Sequence, residues 1–461
     1  MFLPAKKLSL ISALIFCGMH ATTFANQVTL PKTALSDSWI KSTLQLQREI
    51  DLAAPMNEVT FLATHNSYNS KIYSIPAVRY LNPNQLISLY DQLEAGVRSI
   101  ELDAHYTFTA SGSQEILLCH GNAENKGCGL YDRPIEEGLA EIRDWLEKNP
   151  NEIVLLYIER MLSRHEPRLA HSLKTYLGDY IYKASNTRKP DGSLTTACIS
   201  LPRTLTKNDV LNAGKQLLII TKGCSGPTYE EEDKYKEIWN DDVFAGTGDV
   251  PHYPFTLIDT LFENFTPYPD CGISTTFNID PLHTSLWRVW DDRTIQSNPD
   301  KKHKPINPMD MPELLRCGIN WPALDMLTPD DPRLAAAIWS WAPDYPRQEG
   351  GRCAIYKDSE GFQNIDCDQT IRAYACQDEL SRAFKVVRMT GTWQEGERFC
   401  QFVAGSDWHF AAPINGAQMN AVKNAASERN VDTVWVNYAM DAEAKWRANE
   451  KGSSPDKREK N

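Results

Sequence analysis

Two histidines, His65 in Ala63-Thr64-His65-Asn66-Ser67 and His120 in Leu118-Cys119-His120-Gly121, bracket the pair Glu101-Leu102-Asp103, and Glu159 ends a later apolar run. Two imidazoles can supply a base and an acid to one phosphodiester. The amide of Asn66 and the carboxylates of Glu101, Asp103 and Glu159 can hold one hard divalent cation. Glu101 and Asp103 are two residues apart, so on an extended strand both side chains face the same way. Placed side by side they repel and raise each other's pKa unless a cation sits between them. Ca2+ suits this all-oxygen donor set, with Mg2+ and Mn2+ as less accommodating options. A salt bridge to Arg98 is the competing reading of the acidic pair. His105 follows at metal-ligand spacing, but one imidazole does not turn an oxygen-donor set into a zinc site, and it carries no assignment.

These residues need elements that bring them together. Residues 59–63, 97–102, 115–119, 153–158, 216–221 and 319–327 read as strands, and residues 134–148 read as a helix that presents Ile135, Leu139, Ile142, Trp145 and Leu146 on one side. Pro134 suits its first turn and Asn149-Pro150-Asn151 stops it. Apolar strand runs alternating with amphipathic helices indicate an α/β fold with a parallel sheet buried on both faces. The stretch 39–328 suits one TIM-type (β/α)8 barrel. In that frame His65 and Asn66 follow the first strand, Glu101 and Asp103 end the second, His120 follows the third and Glu159 ends the fourth. All would meet at the C-terminal mouth.

The N-terminal segment stands apart. Lys6 and Lys7 precede the apolar run Leu8 to Met19, and Thr23-Phe24-Ala25 offers small residues for cleavage, so residues 1–25 read as a signal peptide. The expected location is outside the cytosol, secreted or periplasmic. Loss of Cys17 with the leader leaves an even ten of the eleven cysteines, without Cys-x-x-Cys spacing, which reads as disulfides rather than zinc. A net charge of −12 and no basic run argue against nucleic acid and against long-range attraction to anionic membranes. Lipid contact must then be local and apolar. Leu327-Thr328-Pro329-Asp330-Asp331-Pro332 marks a boundary, after which Cys353, Cys367, Cys376 and Cys400 crowd together. Residues 451–461 have a disordered composition.

Thr64-His65-Asn66-Ser67, Gly96-Val97-Arg98-Ser99-Ile100-Glu101-Leu102-Asp103, Cys119-His120-Gly121 and Glu152-Ile153-Val154-Leu155-Leu156-Tyr157-Ile158-Glu159 together resemble the catalytic X-region of phosphoinositide-specific phospholipases C. Asn after the first histidine and acidic residues at the other metal positions bring the chain closer to the calcium-dependent branch than to the metal-independent bacterial branch. That branch has Asp after the histidine and uses an arginine in place of the cation. The resemblance implies a phosphoryl transfer in two stages, first to an inositol cyclic phosphate and diacylglycerol, then more slowly to the open phosphate. It implies that His65 contacts the phosphoryl oxygen or shares in proton transfer, that His120 protonates the leaving oxygen, that Asn66, Glu101, Asp103 and Glu159 hold Ca2+, and that Glu159 doubles as a base. Lys222 stands where the family places a phosphate-binding lysine, though a solvated strand-end lysine explains it equally. Arg98 is read either as a phosphate contact or as structural. Trp287-Arg288-Val289-Trp290-Asp291-Asp292-Arg293 fits an inositol subsite or a salt-bridged strand end, and Asp325 is a candidate supporting carboxylate. The implied partners are an inositol phospholipid and, transiently, a membrane surface.

The C-terminal stretch 333–450 resembles a C-type-lectin-like α+β domain whose halves are circularly permuted. Trp339-Ser340-Trp341-Ala342-Pro343, Cys353 and Ala373-Tyr374-Ala375-Cys376-Gln377 look like its second half, and Trp393 to Cys400 with Val434-Trp435-Val436-Asn437-Tyr438 like its first. The resemblance implies Cys353–Cys367 and Cys376–Cys400 pairing. Tyr345-Pro346-Arg347 and Phe362-Gln363-Asn364 lack the residues of a calcium-mediated sugar site, which leaves a glycan bound through aromatics, a protein ligand, or bracing of the barrel. Two functions follow from different classes. One is a secreted phospholipase; the other is a binding protein on an inactive phospholipase scaffold.

Overall fold

The computed structural model describes residues 39–162, 164–184, 198–222, 239, 242–249, 285–294, 305–357 and 360–448. The segments assigned to the leader and to the tail lie outside the described residues. In chain order the first sheet contains β1 (Ala63–Thr64), β2 (Ser99–Phe108), β3 (Gln114–Leu118), β4 (Arg133–Pro134), β5 (Val154–Met161), β6 (Leu217–Ile220), β7 (Val243–Phe244), β8 (Thr247–Asp249), β9 (Leu286–Trp290) and β10 (Trp321–Leu324). Eight of these follow the path β7-β6-β5-β2-β1-β10-β9-β8, every step of it parallel. The result is a curled, mostly parallel α/β sheet of TIM-like type.

The two-faced burial inferred from composition is explicit in β5. Val154, Leu156 and Ile158 enter one apolar cluster while Leu155 and Tyr157 enter another. With α1 at Trp39–Ile50, helix α2 spans Ile135–Lys148 and buries Ile135, Leu139, Ile142, Trp145 and Leu146. Glu136 and Glu137 in its first turn and Lys148 in its last complement the helix dipole. It packs against α3 (Glu166–Leu177).

One strand departs from expectation. Residues 114–118 do not form the third parallel strand; they turn back and pair antiparallel with β2, Ala104 opposite Leu118 and Phe108 opposite Gln114. The physical reason is the length of β2, which runs ten residues rather than ending near Leu102, and a Ser111-Gly112-Ser113 turn at its tip, Gly112 having φ +84°.

At the strand-start end, Arg98 is buried. Its Nε donates to Glu152 Oε2 at 2.9 Å, its Nη1 donates to the carbonyls of Leu93 and Val97 at 2.8 and 2.7 Å, and its guanidinium covers the Trp145 ring. Arg48 donates to the same carboxylate at 2.9 and 3.0 Å. Burial alone would push Glu152 up, but the two guanidinium groups outweigh it and hold the carboxyl far below its ordinary 4.5. A depressed carboxylate contributes stability that is fully present above its unfolded value and lost as pH falls. Glu152→Gln is therefore expected to flatten the decline of Tm below pH 4.5, and to cost about 3–5 kcal/mol in denaturant unfolding at neutral pH by stranding Arg98.

The second sheet contains β11 (Cys353–Lys357), β12 (Gly361–Ile365), β13 (Tyr374–Asp378), β14 (Phe384–Val387), β15 (Trp408–Phe410), β16 (Thr433–Met440) and β17 (Trp446–Ala448), in the order β12-β11-β16-β13-β14, with β15 beside β13 and β17 beside β16. Helices α4 (Gly396–Ala404) and α5 (Gly416–Glu428) accompany it. Disulfides join Cys353 to Cys367 and Cys376 to Cys400, the pairing the resemblance implied, and a further one joins Cys119 to Cys128. All eight described cysteines are disulfide-bonded. The two sheets share apolar packing, Val59, Phe61 and Trp321 clustering with Tyr356, Val434 and Val436. Glu58 ties them further, accepting from Arg382 and from Gln418 Nε2, each at 2.8 Å.

Candidate active site

Register, rather than chain proximity, assembles the site. Thr64 lies opposite Leu324 in the parallel pair β1–β10, so the next residues, His65 and Asp325, leave the sheet side by side. His65 Nδ1 lies 3.1 Å from Asp325 Oδ1, and Asn84 Nδ2 donates to Asp325 Oδ2 at 3.0 Å. Gln85 Nε2 donates to the carbonyls of His65 and Leu324 at 2.7 and 2.8 Å, locking the turn between them. Burial would lower the imidazole, but the charges of Asp325 and Glu101 outweigh it and raise His65 to about 9. With Nδ1 committed to Asp325, Nε2 is the ring's other proton-bearing atom.

The carboxylates meet next to this pair. Parallel register sets Asp103 beside Glu159, and Glu101, Asp103 and Glu159 offer oxygens that all lie within 4.8 Å of one another. Tyr68 donates to Asp103 Oδ2 at 2.8 Å, while Asp103 Oδ1 is buried without a hydrogen-bond partner. Burial, then the negative charges of Glu159 and Glu101, push Asp103 well above the usual carboxylate range. Asn66 adopts left-handed backbone, φ 44°, which asparagine tolerates better than most residues. From there its N–H donates to Glu101 Oε2 at 3.1 Å and its amide nitrogen to Asn84 at 3.3 Å, leaving the amide oxygen as its ligand atom. An oxygen-only set with an orphaned buried carboxylate oxygen fits a hard cation. A second positive group reaches the same cluster: Arg288 Nη2 bonds Glu101 Oε2, and its guanidinium is walled by Tyr157, Trp290 and Trp321 at 4.7, 5.1 and 5.3 Å.

His120 arrives by the hairpin rather than from a third barrel strand. Because β3 runs back along β2, the Cys119 N–H donates to the Asp103 carbonyl at 3.3 Å and His120 emerges at the level of the carboxylates. The Cys119–Cys128 disulfide closes the loop that follows. Gly127 (φ +113°) is required there, since a Cβ would sit 2.5 Å from the His120 carbonyl. His105 Nδ1 pairs with Asn125 Oδ1 at 2.8 Å inside this loop, and its neighbours Cys119 and Cys128 are spent in the disulfide, so that group holds no metal. Desolvation and then the charge of His65 hold His120 below 6.5, against the pull of Asp292, Glu101 and Asp325. One imidazole is thus kept charged and the other is biased neutral.

The structure brings together His65, Asn66, Glu101, Asp103, Glu159 and His120. It does not bring Arg98, whose guanidinium is spent on Glu152 and two carbonyls at the strand-start end. Lys222 is exposed just past β6, at the strand end that also carries Glu159. Arg288 and Asp325 answer sequence signals that were ambiguous alone. Asn84 and Tyr68 carried no signal, being an amide in Asn82-Pro83-Asn84-Gln85 and a tyrosine in a polar loop.

An uncharacterized protein of Mycobacterium tuberculosis, Rv2075c, is 27% identical over 437 residues, covering 90% of this chain and 83% of its own. A PI-PLC X domain-containing protein of Arabidopsis thaliana is 33% identical over 112 residues, 24% of this chain and 25% of its own. Among solved structures, the phosphatidylinositol-specific phospholipase C from Listeria monocytogenes covers 64% of this chain and 97% of its own at 15% identity and a TM-score of 0.39. A calcium-dependent phosphoinositol-specific phospholipase C from a Pseudomonas species covers 63% and 95% at 16% identity and a TM-score of 0.34. Residues 21–331 match the family described as the Rv2075c PI-PLC-like domain. The chain therefore belongs to the Rv2075c PI-PLC-like family.

Proposed function

We propose that this chain is a secreted phospholipase C that cleaves phosphatidylinositol-type lipids to diacylglycerol and an inositol cyclic phosphate, which it opens more slowly to the phosphate. The observation that carries the reading is the His65–Asp325 pair standing beside the convergent carboxylates Glu101, Asp103 and Glu159. In this reading residues 39–328 are the catalytic barrel and residues 333–450 brace its base through Glu58, with any glycan or protein ligand secondary to that role. The disulfides fit an oxidising compartment. Among the described residues no helix is long and apolar enough to cross a membrane, and contact with lipid is transient.

The inositol 2-hydroxyl attacks phosphorus, its proton passing to Glu159, and the bond from phosphorus to the glycerol oxygen breaks as His120, entering in the protonated form that its lowered pKa makes more acidic, delivers its proton to that oxygen and is left neutral. His65, kept cationic by Asp325, directs Nε2–H at a phosphoryl oxygen and stabilises charge built up in the transition state. Asn66, Glu101, Asp103 and Glu159 would hold Ca2+, which when bound lowers the pKa of the 2-hydroxyl and neutralises developing charge. Arg288 and Trp290 wall the inositol side, and Lys222 serves the phosphate from the rim. Arg98 has no part in substrate binding.

The test is release of cyclic inositol phosphate from phosphatidylinositol, followed by phosphorus NMR with and without chelator. Product that depends on Ca2+ supports the full reading. No product across several inositol lipids with Ca2+ present overturns it in favour of a binding protein on a phospholipase scaffold. Turnover that ignores the chelator transfers the cation's role to Arg288, whose bond to Glu101 already places positive charge there.

A further inference from the structure

His105 has no part in the chemistry proposed above, yet its surroundings are built for a ligand. It lies two residues beyond Asp103 on β2, and antiparallel register, Ala104 opposite Leu118, carries Cys119 to the level of Asp103, where its N–H meets the Asp103 carbonyl. His105 and Cys119 therefore share one face of the hairpin as diagonal neighbours. One ring nitrogen of His105 and the sulfurs of Cys119 and Cys128 all lie within 4.8 Å of one another. The imidazole is wholly buried, and its tautomer is fixed from outside. Asn125 Nδ2 donates to the Tyr106 carbonyl at 3.1 Å, which turns Asn125 Oδ1 toward His105 Nδ1 at 2.8 Å, so Nδ1 carries the proton. Nε2 keeps a lone pair and has no hydrogen-bond partner. Buried polar atoms are rarely left so, and two sulfurs stand beside this one.

We propose that reduction of Cys119–Cys128 creates a Zn2+ site, with His105 Nε2 and the two thiolates as its protein ligands. The dithiol that reduces the S–S bond supplies two electrons and two protons and becomes a disulfide itself; Zn2+ then displaces both protons from the new thiols. Two sulfurs and an imidazole suit Zn2+, whereas Ca2+ prefers the oxygen set of the neighbouring carboxylates. An Nδ1–H held by an amide oxygen is the outer contact that orients a ligating imidazole. The loop between the cysteines has bonds of its own that do not depend on the disulfide. The Asn122 N–H donates to the Lys126 carbonyl at 3.0 Å, and Asn122 Oδ1 accepts from the N–H groups of Glu124 and Lys126, each at 3.0 Å. Gly121 leaves the cluster room that a Cβ would fill, 2.8 Å from Cys128 Sγ and 3.2 Å from His105 Cε1. Cys128 is half-buried, which gives the ion a path in and water the fourth position. Bound there, Zn2+ joins the two ends of the loop as the disulfide does. Its binding requires no turnover of lipid.

The experiment uses the full chain, treated with a dithiol and then freed of it under argon. It reads Zn2+ affinity by competition with a chromogenic chelator, the visible spectrum with Co2+ in place of Zn2+, and the cysteines that metal shields from alkylation. The reduced chain is expected to take up Zn2+ in the presence of excess Ca2+, to show thiolate-to-Co2+ charge transfer, and to have Cys119 and Cys128 shielded. Cys353 and Cys367, which have no third donor grouped with them among the described residues, are expected to stay reactive. The oxidised chain is expected to take up no Zn2+ at this cluster. Asn125→Gly, which the left-handed backbone there (φ 60°) accepts, is expected to weaken Zn2+ binding by about 10- to 100-fold, and His105→Gln by about 100-fold or more. Where reduction loosens the fold, melting gives the same answer: Zn2+ is expected to raise the Tm of reduced wild type and that of reduced His105→Gln far less. Equal Zn2+ affinity in His105→Gln, shielding that falls on other cysteines, or a reduced wild type that neither binds Zn2+ nor gains Tm from it overturns the site.

Discussion

Replacement of His65 by alanine is expected to lower turnover of phosphatidylinositol by about 10³-fold or more, because in the proposed mechanism it removes the charged donor that stabilises the phosphoryl group in the transition state. Asp325→Asn is expected to cost less, about 10- to 100-fold, since it leaves the ring in place but removes the carboxylate that fixes its orientation and charge. The two variants are separable by NMR titration of the imidazole. In Asp325→Asn, His65 should fall from its raised value near 9 toward or below its ordinary 6.5, burial then acting with less opposition. The same linkage has a stability consequence of definite sign. A raised histidine contributes stability that is fully present below pH 6.5 and is lost as pH rises through about 9, so Asp325→Asn should remove that alkaline decline from the unfolding profile. Full activity in His65→Ala would falsify the central assignment.

The carboxylate cluster yields an effect nearly as large, with opposite signs for function and stability. Removal of divalent cation by chelation is expected to reduce turnover by about 10²- to 10⁴-fold, with recovery on Ca2+. Asp103→Asn is expected to weaken Ca2+ binding, read by calorimetry, by about 10- to 100-fold, because it replaces the carboxylate of a proposed ligand whose Oδ1 has no hydrogen-bond partner. Yet without cation this variant should melt at a higher temperature than wild type. Asp103 is buried beside Glu159 and Glu101, and its raised pKa means that its charged form is disfavoured in the fold. For such a carboxyl, stability increases as pH falls through the folded value, so the gain in Asp103→Asn should shrink in acid. Unaltered Ca2+ binding in Asp103→Asn would remove the metal assignment and leave Arg288 as the cation of the site.

Much of the site was legible in the sequence because its components are local. Glu101 and Asp103 share a face by the two-residue period of a strand, and their joint burial follows directly. Helix α2 was readable from its apolar spacing, and its buried residues are those the spacing selects. The strands were recognisable as apolar runs, but their partners were not. A run such as Glu115 to Cys119 has the same composition whether it joins a parallel barrel or folds back as a hairpin. The difference changes the route by which His120 reaches the mouth, although not its arrival there.

By itself the sequence determined which side chains were available for chemistry, the alternation that buries a sheet on both faces, and the motifs shared with phospholipases C. Tertiary structure alone decided the pairings that make those side chains a site. His65 and Asp325 are 260 residues apart, and Glu101 and Arg288 are 187 apart. No local propensity sets such distances. Strand order and register set them, through main-chain hydrogen bonds that place Thr64 opposite Leu324 and Asp103 opposite Glu159, and the residues one step beyond each pair inherit their neighbours from that choice. The same holds for Arg98, for which the motif left a structural role and a phosphate contact both open and which its position at the strand-start end commits to Glu152.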